Sequence, residues 1–230
     1  MEFYHTYNRA VEKRKIFLEN SDYLRGIHDI YEFNDEKASI NMYRRIVGFT
    51  KHHSLLVGNT KDTRENLINM GVWCLMPNHY HFFSSPVKEN SLFLFHKKFG
   101  GGFANFFNAK YKRSGVLFQG RYKKVLVDND IQALQLICYI HANPLDLWKT
   151  NWKEKGLTNL EIQNALKFLE KEYRWSSHLD WWGIKNFPSL IDIGFMNRFF
   201  KNPKEYQEFF TSWLKHYKKN IQDIKKIIID

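Results

Sequence analysis

Cysteines are scarce in this chain, and long apolar runs are missing. Its 230 residues include two cysteines, Cys74 and Cys138, which are too few for the disulfide framework of a small secreted domain. No apolar run approaches the roughly 18 residues that a membrane-spanning helix needs, and residues 1–15 hold no apolar signal-peptide core. We therefore expect a cytoplasmic protein that has no membrane partner.

Acidic residues are absent from one long stretch. Between Asn90 and Val127 there is no Asp or Glu, although solvated helix faces usually mix the two charges. The stretch interleaves aromatic residues with cations, and the whole chain carries a formal charge of +11. Cations bind phosphates and exposed rings stack on unpaired bases, so this pattern favours a nucleic-acid partner over a merely basic protein. The cations are Lys97, Lys98, Lys110, Lys112, Arg113, Arg121, Lys123 and Lys124.

Sequence periodicity predicts an α+β fold. Period-two or continuous apolar runs predict strands at 3–11, 71–76, 79–85 and 116–128, and helical spacing predicts helices at 20–33, 91–113 and 131–144. Three glycines at 100–102 predict an interruption of the second helix. The order of strand, helix, strand, strand, helix and strand is that of a ferredoxin-like, split βαβ sheet. We place this core at residues 1–147 and a helical C-terminal extension at 148–230.

The segment MPNHYHFF, residues 76–83, sets two histidines on alternate positions of a predicted buried strand. Side chains of a strand alternate between its faces, so His79 and His81 point the same way, about 7 Å apart along the strand. Neutral imidazoles are good ligands for transition ions. The spacing therefore favours a metal site, although two histidines sharing a polar patch give the same pattern.

The helix predicted at 131–144 offers further candidates. Tyr139 and Asn143 are four residues apart, so they share one helical face. Asn143 has a side-chain oxygen for a metal, and Tyr139 lies one turn away. Alternatively, Tyr139 is a core aromatic residue and Asn143 ends the helix before Pro144. With a metal and a basic surface, a tyrosine suggests attack of its oxygen on a DNA phosphodiester, which leaves a phosphotyrosine.

Three segments, in the order WCLMPNHYHFF, SGVLFQGRYKKVLVDND and YIHANPL, resemble the REP-associated tyrosine transposases. These belong to the single-tyrosine HUH endonucleases, where HUH denotes two histidines around a hydrophobic residue. The segments YNRAVEKRKIF, YRWSSHLDWWG and NPKEYQEFF resemble the family too, so the likeness spans residues 3–212. The Trp- and Lys-rich C-terminal stretch departs from the family pattern, and no DNA sequence preference follows.

The resemblance implies a ferredoxin-like HUH core with an antiparallel sheet of four or five strands. It implies that His79 and His81 hold Mg²⁺ or Mn²⁺, that Asn143 is the third ligand and that Tyr139 is the nucleophile. Its substrates would be single-stranded DNA ends with imperfect palindromes that form hairpins. Gln119 and Tyr122, in the FQGRYK segment, join the eight cations as expected DNA contacts. A monomer and a dimer are both compatible with the sequence.

Other functions remain open at this point. A domesticated relative would bind hairpin DNA without cutting it. Replication or plasmid-transfer initiators of the HUH class commonly carry a tyrosine pair or a fused helicase domain, and neither is visible in the sequence. A metal-dependent hydrolase of small substrates would leave the basic surface unexplained. The expected enzyme is therefore a transposase that nicks and rejoins single-stranded DNA.

Overall fold

The computed structural model describes residues 2–37, 64–226 and 228. The core elements are β1 (Phe3–Arg9), α1 (Asn20–Phe33), β2 (Ile68–Met76), β3 (His79–Pro86), α2 (Ser91–Lys110), β4 (Lys123–Val127) and α3 (Asp130–Ala142). The C-terminal helices are α4 (Leu145–Trp148), α5 (Trp152–Lys155), α6 (Asn159–Lys171), α7 (His178–Trp181), α8 (Ile193–Phe199), α9 (Pro203–Lys215) and α10 (Tyr217–Asn220). Short 3₁₀ turns lie at Val11–Lys13, Pro188–Leu190 and Ile221–Ile224. No helix among the described residues is long and apolar enough to cross a membrane.

The four strands form one antiparallel sheet in the order β2-β3-β1-β4. The sequence of core elements along the chain, strand, helix, strand, strand, helix, strand, is the predicted one. Alternation of side chains gives the sheet two buried faces. Tyr80 and Phe82 meet the α2 residue Phe99 on one face, and Gly26 of α1 approaches Leu75 there. On the other face lies His81, against the α3 residue Tyr139.

Two predictions about the elements were wrong: the bounds of the fourth strand and the interruption of the second helix. The fourth strand covers only Lys123–Val127 instead of 116–128, because Gly115 and Gly120 have positive φ and turn the chain before the strand. The helix α2 runs without a break through its three glycines. Its stripe of buried aromatic residues, Phe95, Phe99, Phe103 and Phe107, is packed in the core. This burial outweighs the cost of about 1 kcal/mol for each helical glycine.

The C-terminal helices share the apolar core with the sheet, since Trp181, Phe210 and Trp213 belong to the same buried cluster as the strands. Their connecting segment also pairs with the open edge of β2. Leu75 N donates to Trp175 O at 2.9 Å, and Ser177 N donates to Trp73 O at 2.9 Å. The outer backbone groups of β2 are thereby satisfied at this point. The division of the chain at 147/148 stays a prediction.

A buried polar network ties α3 to these helices. The Tyr206 hydroxyl lies 2.7 Å from His141 Nδ1 and 2.8 Å from His178 Nδ1. His141 Nε2 lies 2.8 Å from the Ser177 hydroxyl, which accepts from Trp73 N of β2. All four polar side chains are buried. The network therefore fixes the helix that carries Tyr139 relative to the sheet.

Candidate functional site

The strand β3 positions two imidazoles on one face of the sheet. In its antiparallel pairing with β1, His79 lies opposite Arg9 and His81 lies opposite Tyr7. The rings of His79 and His81 lie 4.9 Å apart between centroids, almost perpendicular to each other. Pro77 and Asn78 form the tight turn that leads into this strand. The pair is therefore at the end of the strand nearest the β2–β3 turn.

Burial keeps both imidazoles neutral. Burial, together with the nearby positive charges of Arg9 and Lys153, lowers the pKa of His79 to about 3. Burial also holds the pKa of His81 well below its ordinary value, with the neighbouring histidines and the same two cations acting in the same direction. A neutral imidazole has a lone pair available, which is the state that a metal ion needs.

Each imidazole uses its Nδ1 for a protein partner. His79 Nδ1 lies 2.6 Å from Asn78 Oδ1, and His81 Nδ1 lies 3.0 Å from Nε2 of His5 on β1. His81 Nε2 is buried and makes no hydrogen bond within the described part of the chain. Metal-binding histidines commonly engage the second ring nitrogen in this way, which orients the ring. The sequence did not single out His5, although its position in the alternating β1 pattern places it on the same sheet face as Tyr7.

The helix α3 brings Tyr139 and Asn143 to the same place. The Tyr139 ring lies 5.9 Å from that of His81 between centroids, in an edge-to-face arrangement. Asn143 caps the end of α3 and donates from Nδ2 to Tyr139 O at 3.0 Å, and its side chain adjoins His79, whose pKa it raises. The four residues singled out for the metal and the nucleophile thus form one buried cluster; Tyr139 is 1% exposed and His79 is 8% exposed.

The donor atoms of the cluster are of types that bind divalent ions. The partnerless His81 Nε2, the adjacent His79 ring and the Asn143 amide present two nitrogens and an oxygen, and water or substrate would supply the other ligands. Within residues 2–37, 64–226 and 228, no three His, Cys, Asp or Glu side chains form a metal-binding group. The donor set would therefore be two imidazoles and a neutral amide, without a carboxylate.

Two cations at this cluster were not predicted from the sequence. Lys153 of α5 places its Nζ 5.4 Å from the centre of the Tyr139 ring, and Asp146 holds the same Nζ at 2.9 Å. Arg9 is half-buried, and its Nε is buried without a hydrogen bond to any described residue. The two cations lie on β1 and on the C-terminal extension, far apart in sequence. Only their juxtaposition with Tyr139 and His79 distinguishes them from other basic residues.

The expected DNA contacts fall into two groups. Six are exposed: Lys97, Lys112, Gln119, Arg121, Lys123 and Lys124. Four have partners within the fold: Lys98, Lys110, Arg113 and Tyr122. Lys110, for example, pairs with the buried Asp22 at 2.6 Å, and Tyr122 stacks on His96 with 3.8 Å between ring centroids. The acid-free stretch therefore supplies a smaller exposed surface than its composition suggests.

The exposed lysines of β4 have a second physical role. Lys123 and Lys124 lie on a strand at the edge of the sheet, where charged side chains discourage pairing with other chains. Lys124 also lies over the Tyr4 ring, 4.7 Å from its centre. Both roles are compatible with phosphate contacts, because the ammonium groups remain exposed.

No family model and no curated protein matches this chain. Among solved structures, the fold is similar to one described as the structure of a REP-associated tyrosine transposase bound to a REP hairpin. The two chains are 13% identical, the match covers 64% of this chain and 68% of the other, and the TM-score is 0.37.

Proposed function

We propose that this protein is a metal-dependent endonuclease and transposase that nicks and rejoins single-stranded, hairpin-bearing DNA through a covalent phosphotyrosine. The observation that carries the proposal is the convergence of the His79, His81 and Tyr139 rings on one sheet face. These residues come from the MPNHYHFF and YIHANP segments, which were singled out on sequence alone. A strand and a helix that lie about 50 residues apart in the sequence thus supply the three rings of one candidate site.

We further propose that the sheet is a ferredoxin-like HUH core of the kind found in REP-associated tyrosine transposases. The strand order β2-β3-β1-β4, with all neighbours antiparallel, supports this assignment. The helices α1 and α2 follow the first and third strands, as a split βαβ arrangement requires. The nucleophile then belongs to the helix after the fourth strand, on the opposite face.

In the proposed reaction the Tyr139 oxygen attacks a backbone phosphorus. Tyr139 releases its phenolic proton to water, a new O–P bond forms, the P–O bond to the leaving strand breaks, and the leaving oxygen takes up a proton from water as a free hydroxyl. His79, His81 and Asn143 would hold Mg²⁺ or Mn²⁺, which when bound withdraws charge from the phosphate oxygens. The reverse attack by a strand hydroxyl restores the phosphodiester and frees Tyr139. The phosphotyrosine conserves the bond energy, so rejoining needs no ATP.

Lys153 and Arg9 complete the electrostatics of this proposal. Their positive charges act at His79 and His81, the residues that would hold the ion, and Lys153 lies over the nucleophile's ring. An anionic phosphate is attracted to such a place, particularly where solvent is largely excluded. Because Tyr139 is 1% exposed, DNA reaches its oxygen only if neighbouring side chains move aside.

The burial of Tyr139 also favours a second candidate function, a domesticated protein that binds hairpin DNA without cleaving it. A covalent adduct separates the two. We expect wild-type protein, incubated with Mn²⁺ and a labelled hairpin oligonucleotide with single-stranded flanks, to form a denaturation-resistant protein–DNA band. Tyr139→Phe removes the attacking oxygen and should form none.

His79→Ala tests the metal assignment in the same assay. We expect it to abolish cleavage while retaining most hairpin binding, because phosphate contacts elsewhere on the surface remain. Full cleavage by His79→Ala would refute the metal site. Hairpin binding by wild type without any adduct would instead identify the non-cleaving function.

A further inference from the structure

A basic groove lies on the C-terminal extension, outside the acid-free stretch. It has a volume of 560 Å³ and is bounded by the end of α5, the start of α6, the end of α9 and α10. Its cationic and polar lining comes from Lys149, Lys155, Lys215, His216, Lys218 and Lys219, and its only carboxylate is Glu161. Five lysines thus face one acidic residue across a single concavity.

Most of this positive charge is not compensated by the described residues. Glu161 is committed to Lys149 and to the cap of α6 at Thr158. Lys155, Lys215, Lys218 and Lys219 are exposed, and none forms an ion pair with another described residue. Like charges gathered in one concavity repel one another, and this repulsion is relieved when an anion binds. The groove is therefore complementary to a polyanion.

The groove adjoins the Tyr139 cluster through α5. Trp152 anchors this helix: it is buried, packs on Tyr217 with 4.6 Å between ring centroids, and donates from Nε1 to Asp146 at 2.8 Å. On the same short helix, Lys153 lies over Tyr139 and Lys155 lines the groove. The same short helix thus carries one cation at the candidate nucleophile, where Lys153 pairs with Asp146, and a second cation at the groove.

We propose that this groove binds the sugar-phosphate backbone of the single-stranded flank next to the phosphodiester that Tyr139 attacks. The inference rests on the proposed function for the identity of the strand. Tyr217 of the lining is 4% exposed and presents no stacking face, and the exposed lining is mainly lysine with His216, so phosphate contacts predominate over base stacking. Binding there is accordingly independent of base sequence and sensitive to salt.

The test compares two triple variants with equal loss of charge. The groove variant is Lys215→Ala, Lys218→Ala and Lys219→Ala; the control is Lys167→Ala, Lys185→Ala and Lys201→Ala, all exposed residues outside the groove. Fluorescence anisotropy measures binding of a hairpin with and without a single-stranded flank over a range of salt concentrations. Circular dichroism checks that both variants stay folded, and Lys218→Glu alone provides a milder change.

We expect the groove variant to bind the flanked hairpin about tenfold more weakly than the control at moderate salt. Its slope of log affinity against log salt should be smaller by about 0.7 for each lost phosphate contact. Lys218→Glu should weaken binding in the same direction. The loss should be larger for the flanked hairpin than for the bare one.

The outcomes separate the groove from the catalytic proposal. If wild type forms the Tyr139-dependent adduct and the groove variant binds the flanked hairpin like the control, the groove assignment fails and the enzyme stands. Equal losses for the flanked and bare hairpins would likewise overturn the assignment to the flank. If wild type forms no adduct but the groove variant loses affinity selectively for the flank, the groove stands and the nuclease fails.

Discussion

Single nitrogen atoms carry the chemistry of the candidate site. His81 directs Nδ1 to His5 and leaves a buried Nε2 without a hydrogen bond to the described residues. A buried polar atom left in this state costs about 1–3 kcal/mol, so its retention calls for a compensating partner. A divalent ion would provide that compensation. Asn143 would be the weakest of the three metal ligands, because its amide is neutral.

Asn143→Asp should strengthen metal binding, because a carboxylate replaces a neutral oxygen beside two imidazoles. We expect the dissociation constant for Mn²⁺ to fall by about tenfold. In chelator the same variant should melt below wild type, since an unpaired carboxylate is then buried. Thermal unfolding with and without Mn²⁺ measures both effects, and Asn143→Ala is the control that lacks the ligand. An identical Mn²⁺ shift in wild type and in Asn143→Asp would remove Asn143 from the site.

Helix–helix contacts explain the glycines of α2. Gly102 faces α1, where an added methyl group would lie 2.3 Å from the Phe33 ring. At Gly101 an added methyl group would lie within 4 Å of no described atom beyond its neighbours in the same helix. The two adjacent glycines therefore differ in their role. Gly102 allows close packing of α1 and α2, and Gly101 has no such role among the described residues.

Two single substitutions distinguish these glycines. Gly102→Ala should lower the free energy of unfolding by about 1–3 kcal/mol, because the methyl group overpacks the α1–α2 contact. Gly101→Ala should raise it by about 0.5–1 kcal/mol through better helix propensity. Urea denaturation measures both, and each variant is the control for the other. Stabilisation by both would show that Phe33 relocates without cost.

Some features of the helices and strands can be predicted from the sequence, and others cannot. The element order and the α1 bounds follow from local periodicity. The helix α3 ends at Ala142, before Pro144 as predicted, although Asn143 keeps the helical φ of −50° and ψ of −42° that a following proline disfavours. The uninterrupted α2 and the short β4 depend on tertiary packing and on turns at glycines, which a periodicity does not encode. At the site, HxH and the i,i+4 spacing singled out His79, His81, Tyr139 and Asn143. Arg9, His5 and Lys153 come from other elements and required the folded chain.

Buried imidazoles set the response of the whole molecule to acid. Burial lowers the pKa of His96 to about 3 and that of His178 to about 3, whereas both groups titrate near 6.5 in an unfolded chain. Below pH 6.5 these two histidines bind protons in the unfolded chain but stay neutral in the folded protein. Stability is therefore fully present above pH 6.5 and falls progressively as the pH drops towards 3.

His96→Gln should flatten this dependence. The buried His96 contacts Thr6 Oγ1 at 2.9 Å, a hydrogen bond that glutamine can also make. Without this titrating group, the loss of stability between pH 6.5 and pH 4 should be shallower by up to about 1.4 kcal/mol per pH unit. Denaturant titrations in chelator at several pH values measure the slope. An unchanged slope would mean that His96 is protonated in the folded protein.

The pairing of residues 175–177 with β2 has a consequence for dissecting this chain. A fragment ending at residue 147 would keep every strand but expose a ready-made template of amide and carbonyl groups along Trp73 to Leu75. We expect such fragments to pair with one another edge to edge through these groups and to precipitate as oligomers. Studies of a fragment that contains the sheet should therefore keep the chain through residue 177, even though residues 148–177 contribute no strand to the described sheet.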